Sequence, residues 1–345
     1  MKLKVLPIPG FLLLCVAIAT ALYGGPAQFA EIGNFTLENG GSIRNCKIGY
    51  RTYGRLHNNK DNAVLVTTWF AGTSSDLKEY GFIGPGKMLD TDKFFVIAVD
   101  AFGNGVSSSP SNSTTQRGRM FPKYSIRDMV KSQHRLLTGH LGIRKLHAVA
   151  GISMGGMQAF QWAVSYPDFM RRVVSVSGTT HMTSYDKLVW SSELAIITSL
   201  MKRKAGNAEI MKTVAPVHQV FVWTPGYRVS ATDTEKFHDY IVDAEKSLQP
   251  YNAVDWASQL RAMLSHNIGE SSPGGMETAV KKIKSKMLII GSDQDYAVYS
   301  GPSKEIASRL GARIIMLHGN CGHFSFFCEK ETLSQAVKAF LEEND

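Results

Sequence analysis

Short runs of consecutive apolar residues, set apart by longer stretches with helical spacing, give the chain its rhythm. Residues 62–68 (NAVLVTT), 93–100 (KFFVIAVD), 145–150, 172–176, 286–291 (KMLIIG) and 313–317 are brief and apolar through their middles. Runs that short, without a polar alternate, predict strands covered on both faces. Segment 125–141 places Ile126, Met129, Val130, Leu136 and Leu137 on one helical face. Further helices are predicted over 154–165 (ending before Pro167), near 303–310 and over 331–341. Two early strands, 35–37 and 46–52, flank the turn sequence Glu38-Asn39-Gly40-Gly41. This alternation predicts an α/β fold, a mostly parallel central sheet flanked by helices. At about 180–277 the rhythm breaks. Helical spacing with interspersed Trp, Tyr and Met predicts an inserted, mainly helical lid there.

The N-terminus follows a different pattern. Lys2 and Lys4 precede an apolar run over 11–22, and small residues and turn formers follow. That layout predicts a secretory signal peptide over 1–30, cleaved after Ala21 or nearer Ala30. The run is shorter than the roughly 20 residues of a membrane span. The mature chain, 31–345, is therefore expected to be secreted or periplasmic, with no stable membrane span. An exported protein can hold disulfides. Cys321 and Cys328 flank His323 and are candidates for a bridge or for two small buried thiols; a bridge would leave Cys46 unpaired.

Composition adds little to this picture. With 345 residues and 44% hydrophobic content, the chain has ample material for one core. The net charge of +9 is spread thinly, apart from Lys202-Arg203-Lys204 and Lys281-Lys282-Ile283-Lys284, so nucleic acid is not an expected partner.

Candidate chemistry begins at Gly151-Ile152-Ser153-Met154-Gly155, between a predicted buried strand and a helix. This Gly-x-Ser-x-Gly pattern, in strand–turn–helix context, predicts a nucleophile elbow with Ser153 as nucleophile. A serine hydroxyl needs a base. His323, in a turn between the last strand and the closing helix, is placed to serve. The acid is expected after strand 286–291, where both Asp293 and Asp295 stand; Asp293, the nearer to the strand, is preferred. An oxyanion hole needs two backbone amides. Met154 directly follows the nucleophile, and Phe70 lies in the loop after strand 62–68, with Ala71 beside it. No metal or organic cofactor is required for such chemistry.

Several longer segments carry a family resemblance. They include Gly84-Pro85-Gly86-Lys87-Met88-Leu89-Asp90-Thr91-Asp92, Asp100-Ala101-Phe102-Gly103-Asn104-Gly105, Ser125-Ile126-Arg127-Asp128-Met129-Val130, and the elbow extended through Gly156-Met157-Gln158 to Tyr166-Pro167-Asp168. On these segments the chain resembles the homoserine O-acetyltransferase family of the α/β-hydrolases. The resemblance implies the α/β-hydrolase fold, Ser153, Asp293 and His323 as a triad, Phe70 as an oxyanion donor, and a homodimer. The lid resembles the family least. The family's amino-acid acyltransferases usually carry Asp directly after the catalytic His, where this chain has Phe324, and the lid lacks their Ala-Arg motif. With an export leader, these departures point to an exported carboxylic-ester hydrolase acting on small-molecule esters. The alternative is an acyltransferase that moves the acyl group to an alcohol.

Overall fold

The computed structural model describes residues 25–344. One eight-stranded sheet organises them. Its strands are β1 (Gln28–Thr36), β2 (Ser42–Tyr53), β3 (Ala63–Thr67), β4 (Phe95–Val99), β5 (Leu146–Ile152), β6 (Met170–Val176), β7 (Lys286–Ser292) and β8 (Arg313–Leu317). They lie in the order β1-β2-β4-β3-β5-β6-β7-β8. Pairs from β4 to β8 are parallel, while β1–β2 and β2–β4 are antiparallel.

The apolar runs are explained by burial on both faces. Leu65, Ile97, Val149, Val173 and Ile289 join one core cluster. Their chain neighbours Val64, Val66, Val96, Ala98, Ala148, Ala150, Val174, Leu288 and Ile290 join the other. Side chains alternate across a strand, so a strand covered twice reads as continuous hydrophobe.

Helix α1 (Ile126–Arg135) starts at a capping box between Ser125 and Asp128, then continues as a π turn over Leu136–His140. The predicted single helix over 125–141 is thus two segments. Helix α2 (Met154–Ser165) is buried all round from Met154 through Val164, as a central helix should be. Between β6 and β7 lie α3 (Ser184–Lys202), α4 (Asn207–Val222), α5 (Pro225–Ala231), α6 (Phe237–Leu248), α7 (Ala253–Leu264) and α8 (Gly275–Lys282). Helix α8 packs back against α2. The layer that covers the site is therefore α3 to α7. Helices α9 (Gly301–Leu310) and α10 (Lys330–Glu342) complete the fold.

Most of the expected leader, residues 1–24, lies outside the described residues. Residues 28–30 belong to β1, where Gln28, Phe29 and Ala30 pair with Tyr50, Gly49 and Ile48. Cleavage after Ala21 would leave that strand whole; cleavage after Ala30 would cut it. Among the described residues, no helix is long and apolar enough to cross a membrane.

Strand order places the site. The chain runs from β3 to β4 on one side and then crosses to β5 on the other side of β3. A crevice forms at the carboxyl ends of parallel strands where the winding reverses. The loops after β3 and β5 meet there.

Candidate active site

Ser153 sits between β5 and α2 with φ 57° and ψ −120°, a conformation unfavourable for any residue with a side chain. Its N–H donates to the carbonyl of Val176 at 2.8 Å, which helps hold the turn. The flanking glycines are required by contact. A Cβ on Gly151 would lie 2.1 Å from the carbonyl oxygen of Gly155, and one on Gly155 would lie 2.4 Å from that of Thr67. Strand and helix can cross this closely only without side chains there.

His323 lies in a short turn, Gly322–Phe324, after β8. A disulfide between Cys321 and Cys328 closes the loop around it, with the Cα atoms 6.4 Å apart. Cys46 is a buried free thiol. The Nε2 atom of His323 is 2.8 Å from Ser153 Oγ. Its Nδ1 is 2.8 Å from Oδ2 of Asp295. The other carboxylate oxygen of Asp295 accepts from the amides of Ala297 at 2.9 Å and Val298 at 2.8 Å. Ser153, His323 and Asp295 are all buried.

The expected acid, Asp293, does not make the histidine contact. Its carboxylate bonds Lys304 Nζ at 3.0 Å and His318 Nδ1 at 2.7 Å, and its side chain is 39% exposed. Lys304, aided by His318, holds this carboxyl below the usual carboxylate range. The physical reason is the strand itself. Asp293 still follows the ladder, its N–H donating to Leu317 of β8, and proximity to the strand therefore works against it. Two more residues are needed for the chain to turn over the sheet's end. A local signal favoured Asp295, because a carboxylate followed by Ala297 and Val298 can bond the amides two and three residues on in an Asx-type turn.

The loop after β3 brings Phe70 and Ala71 to the serine. Ala71 has φ 59°. Its N–H donates to Oε1 of Gln259, on lid helix α7, at 2.7 Å, and the Gln259 amide donates to the carbonyl of Phe102 at 2.8 Å. The Ala71 amide is therefore engaged with the lid, while Phe70 and Ala71 line the same cavity as Ser153.

A cavity of about 300 Å³ opens above Ser153 and His323. Phe70, Trp190, Trp256, Val222, Leu248 and Phe324 give it a largely apolar wall. The ring of Phe70 packs edge-on against Trp256 at 4.5 Å and Trp190 at 5.5 Å. Trp190 donates its indole N–H to the carbonyl of Ala297 at 2.7 Å, tying the lid to the Asp295 turn. Thr224 bonds the carbonyl of Asn320 and ties the lid to the histidine loop. Of the lid aromatics, Trp190, Tyr251 and Trp256 line the cavity. Trp223 instead stacks on Tyr227 at 4.2 Å and meets Phe324 at 4.7 Å, and Tyr185 is 43% exposed.

Sequence reasoning missed Gln259, Glu193 and His218. Glu193 is fully buried and binds His218 Nδ1 at 2.7 Å with one oxygen and the indole N–H of Trp256 at 2.9 Å with the other. In sequence each is an ordinary polar residue on a lid helix.

Comparison with known proteins agrees with this fold. The α/β-hydrolase fold family matches residues 64–194. An ethyl acetate hydrolase from Pseudomonas veronii is 32% identical over 294 residues, covering 79% of this chain and 82% of its own. A homoserine O-acetyltransferase from Leptospira biflexa is 28% identical over 360 residues, covering 92% and 94%. The solved structure of the acetyl esterase MekB superposes with a TM-score of 0.85 at 27% identity, covering 92% of this chain and 96% of its own. The chain belongs to the homoserine O-acetyltransferase-like family of the α/β-hydrolase superfamily.

Proposed function

We propose that this chain is an exported carboxylic-ester hydrolase that works through an acyl-enzyme on Ser153. The observation that carries this reading is the continuous hydrogen-bonded line Ser153–His323–Asp295 at the floor of an aromatic cavity. His323 Nε2 takes the hydroxyl proton as Ser153 Oγ attacks the ester carbonyl carbon. The carbonyl oxygen becomes an oxyanion facing the Phe70 and Met154 amides. Asp295 holds the imidazole with Nδ1 protonated and stabilises the imidazolium. That imidazolium then protonates the leaving alkoxide as the ester C–O bond breaks. A water molecule, deprotonated by His323, attacks the acyl carbon and releases the acid and the free serine.

The size of the cavity and the kinship with an ethyl acetate hydrolase support short-chain esters as substrates. The second reading, transfer to an alcohol, uses the same acyl-enzyme. It draws support from the near full-length match to a homoserine O-acetyltransferase. Against homoserine itself stands Phe324, whose ring packs among Trp223, Phe326 and Phe327 and offers no carboxylate to an amine. The test is release of p-nitrophenol from p-nitrophenyl acetate, alongside Ser153→Ala. Turnover that vanishes in the variant supports the acyl-enzyme, and equal rates in both overturn it. Chromatography of the products with an added alcohol separates free acid from a new ester.

Export draws support from the apolar run over 11–22 and from the disulfide beside His323. N-terminal sequencing of the protein from medium or periplasm tests it. A full-length chain retained in the cytoplasm overturns it.

A further inference from the structure

The lid carries a polar device that the ester-cleaving steps above do not use. Glu193 on α3 is fully buried, with its oxygens bound to His218 on α4 and to Trp256 on α7. Burying a carboxylate is costly, and an apolar trio of similar volume would join three helices at least as well. The bonding also fixes an orientation. With Nδ1 held by Glu193, the opposite ring nitrogen of His218 points away from the carboxylate. Nε2 has no protein partner among the described residues. His218 lines the same cavity as Ser153 and lies among the rings that hold Phe70, 6.2 Å from Trp190 and 5.3 Å from Trp256. Two other polar lid side chains on this wall are engaged: Gln219 accepts from Tyr240 at 2.8 Å, and Ser247 donates to the carbonyl of Ala244 at 2.7 Å.

We propose that His218, oriented by Glu193, determines substrate specificity by hydrogen bonding a polar oxygen on the ester, remote from the ester carbonyl. The preferred substrates are then short esters that carry a hydroxyl on their acyl or alkoxy chain, rather than plain alkyl esters. A hydroxyl suits this site because it can accept from Nε2–H or donate to the Nε2 lone pair. A site built around a fixed hydrogen-bonding group rejects an analogue lacking the partner more strongly than it rejects a change of one methylene.

The inference rests on the serine-esterase reading, and the experiment separates the two. In one preparation, kcat/KM is measured for ω-hydroxyalkyl acetates against n-alkyl acetates of equal heavy-atom count, and for ethyl ω-hydroxyalkanoates against ethyl alkanoates. The hydroxyl-to-alkyl ratio is compared between wild type and the double variant Glu193→Gln/His218→Phe, which keeps ring packing and leaves no unpaired buried charge. Loss of lid stability alone lowers both members of a pair and leaves their ratio unchanged. The proposal expects the ratio to fall about ten-fold or more at one chain length or more in at least one series. Ratios within about two-fold of wild type at every length overturn it. Should that double variant not fold, Glu193→Gln/His218→Leu reads the same ratio, since it too removes Nε2 and leaves no unpaired buried charge. Absence of Ser153-dependent turnover of p-nitrophenyl acetate overturns the esterase reading and this one with it; turnover with flat ratios overturns this one alone.

Discussion

Two carboxylates only two residues apart should respond very differently to the same substitution. Asparagine at position 295 preserves shape but not bonding. One oxygen of Asp295 accepts from the Ala297 and Val298 amides, so the single amide oxygen of the substituted side chain must stay with those two donors. Its NH2 group then faces Nδ1 of His323, which the carboxylate had kept protonated. Two donors cannot share that 2.8 Å contact. The ring responds by moving its proton to Nε2, the atom that must accept the proton of Ser153. An equivalent substitution in a serine protease costs about 10⁴ in kcat. Asp295→Asn is therefore expected to lower kcat/KM by about 10³–10⁴, or roughly 4–5.5 kcal/mol of transition-state stabilisation. Asp293→Asn removes only half-exposed ion pairs to Lys304 and His318, and the rate should stay within about two-fold. The assay is p-nitrophenyl acetate hydrolysis at equal folded concentration, verified by melting temperature. A retained rate in Asp295→Asn, or an equal loss in Asp293→Asn, refutes the argument.

Other consequences can be checked directly. Gly155→Ala drives a Cβ into the backbone of Thr67; it should cost more than about 3 kcal/mol or prevent folding, read by chemical denaturation. Gln259→Leu frees the Ala71 amide and loosens the Phe70 loop, so kcat should fall about 10- to 100-fold with little change in KM, measured by steady-state kinetics. Opening the Cys321–Cys328 bridge with dithiothreitol, or by Cys321→Ser/Cys328→Ser, should remove about 2–3 kcal/mol and lower activity as the His323 loop gains freedom. Burial lowers the pKa of His266 to about 4. The unfolded chain takes up that proton near pH 6.5 and the folded one does not, so stability should fall as pH drops from about 6.5 toward 4, by about 3 kcal/mol. His266→Gln, which can still donate to Thr179, should flatten that slope in melting curves taken from pH 7 to 4.5.

What the sequence conveyed depended on how local the cause was. The strand of residues 63–67 was legible because burial on both faces leaves no polar position, and Ser153 because its turn tolerates only glycine beside it. His323 was legible from its place after the last strand. The choice between Asp293 and Asp295 failed because it turned on where a strand stops pairing, which the cross-strand bond to Leu317 decides. Glu193, His218 and Trp256 come from three separate helices and meet only in three dimensions. No spacing rule links them, and helix α3 gives little amphipathic warning that a glutamate faces inward. The start of β1 was hidden for another reason: Gln28, Phe29 and Ala30 read as the tail of a leader, yet they pair with β2.

Three of the lid's anchor points carry a consequence for how this enzyme ages and evolves. Trp190 clasps the Asp295 turn, Gln259 the Phe70 loop, and Thr224 the His323 loop. Each clasp joins a cap helix, or the start of one, to a different working part, so the cap acts as a keystone over all three. On heating, catalysis should fail when the keystone slips, before the sheet beneath it melts. Transplanting a cap from a relative to change substrate preference would have to carry all three clasps with it, or arrive with a cavity of the right shape above a disarranged floor.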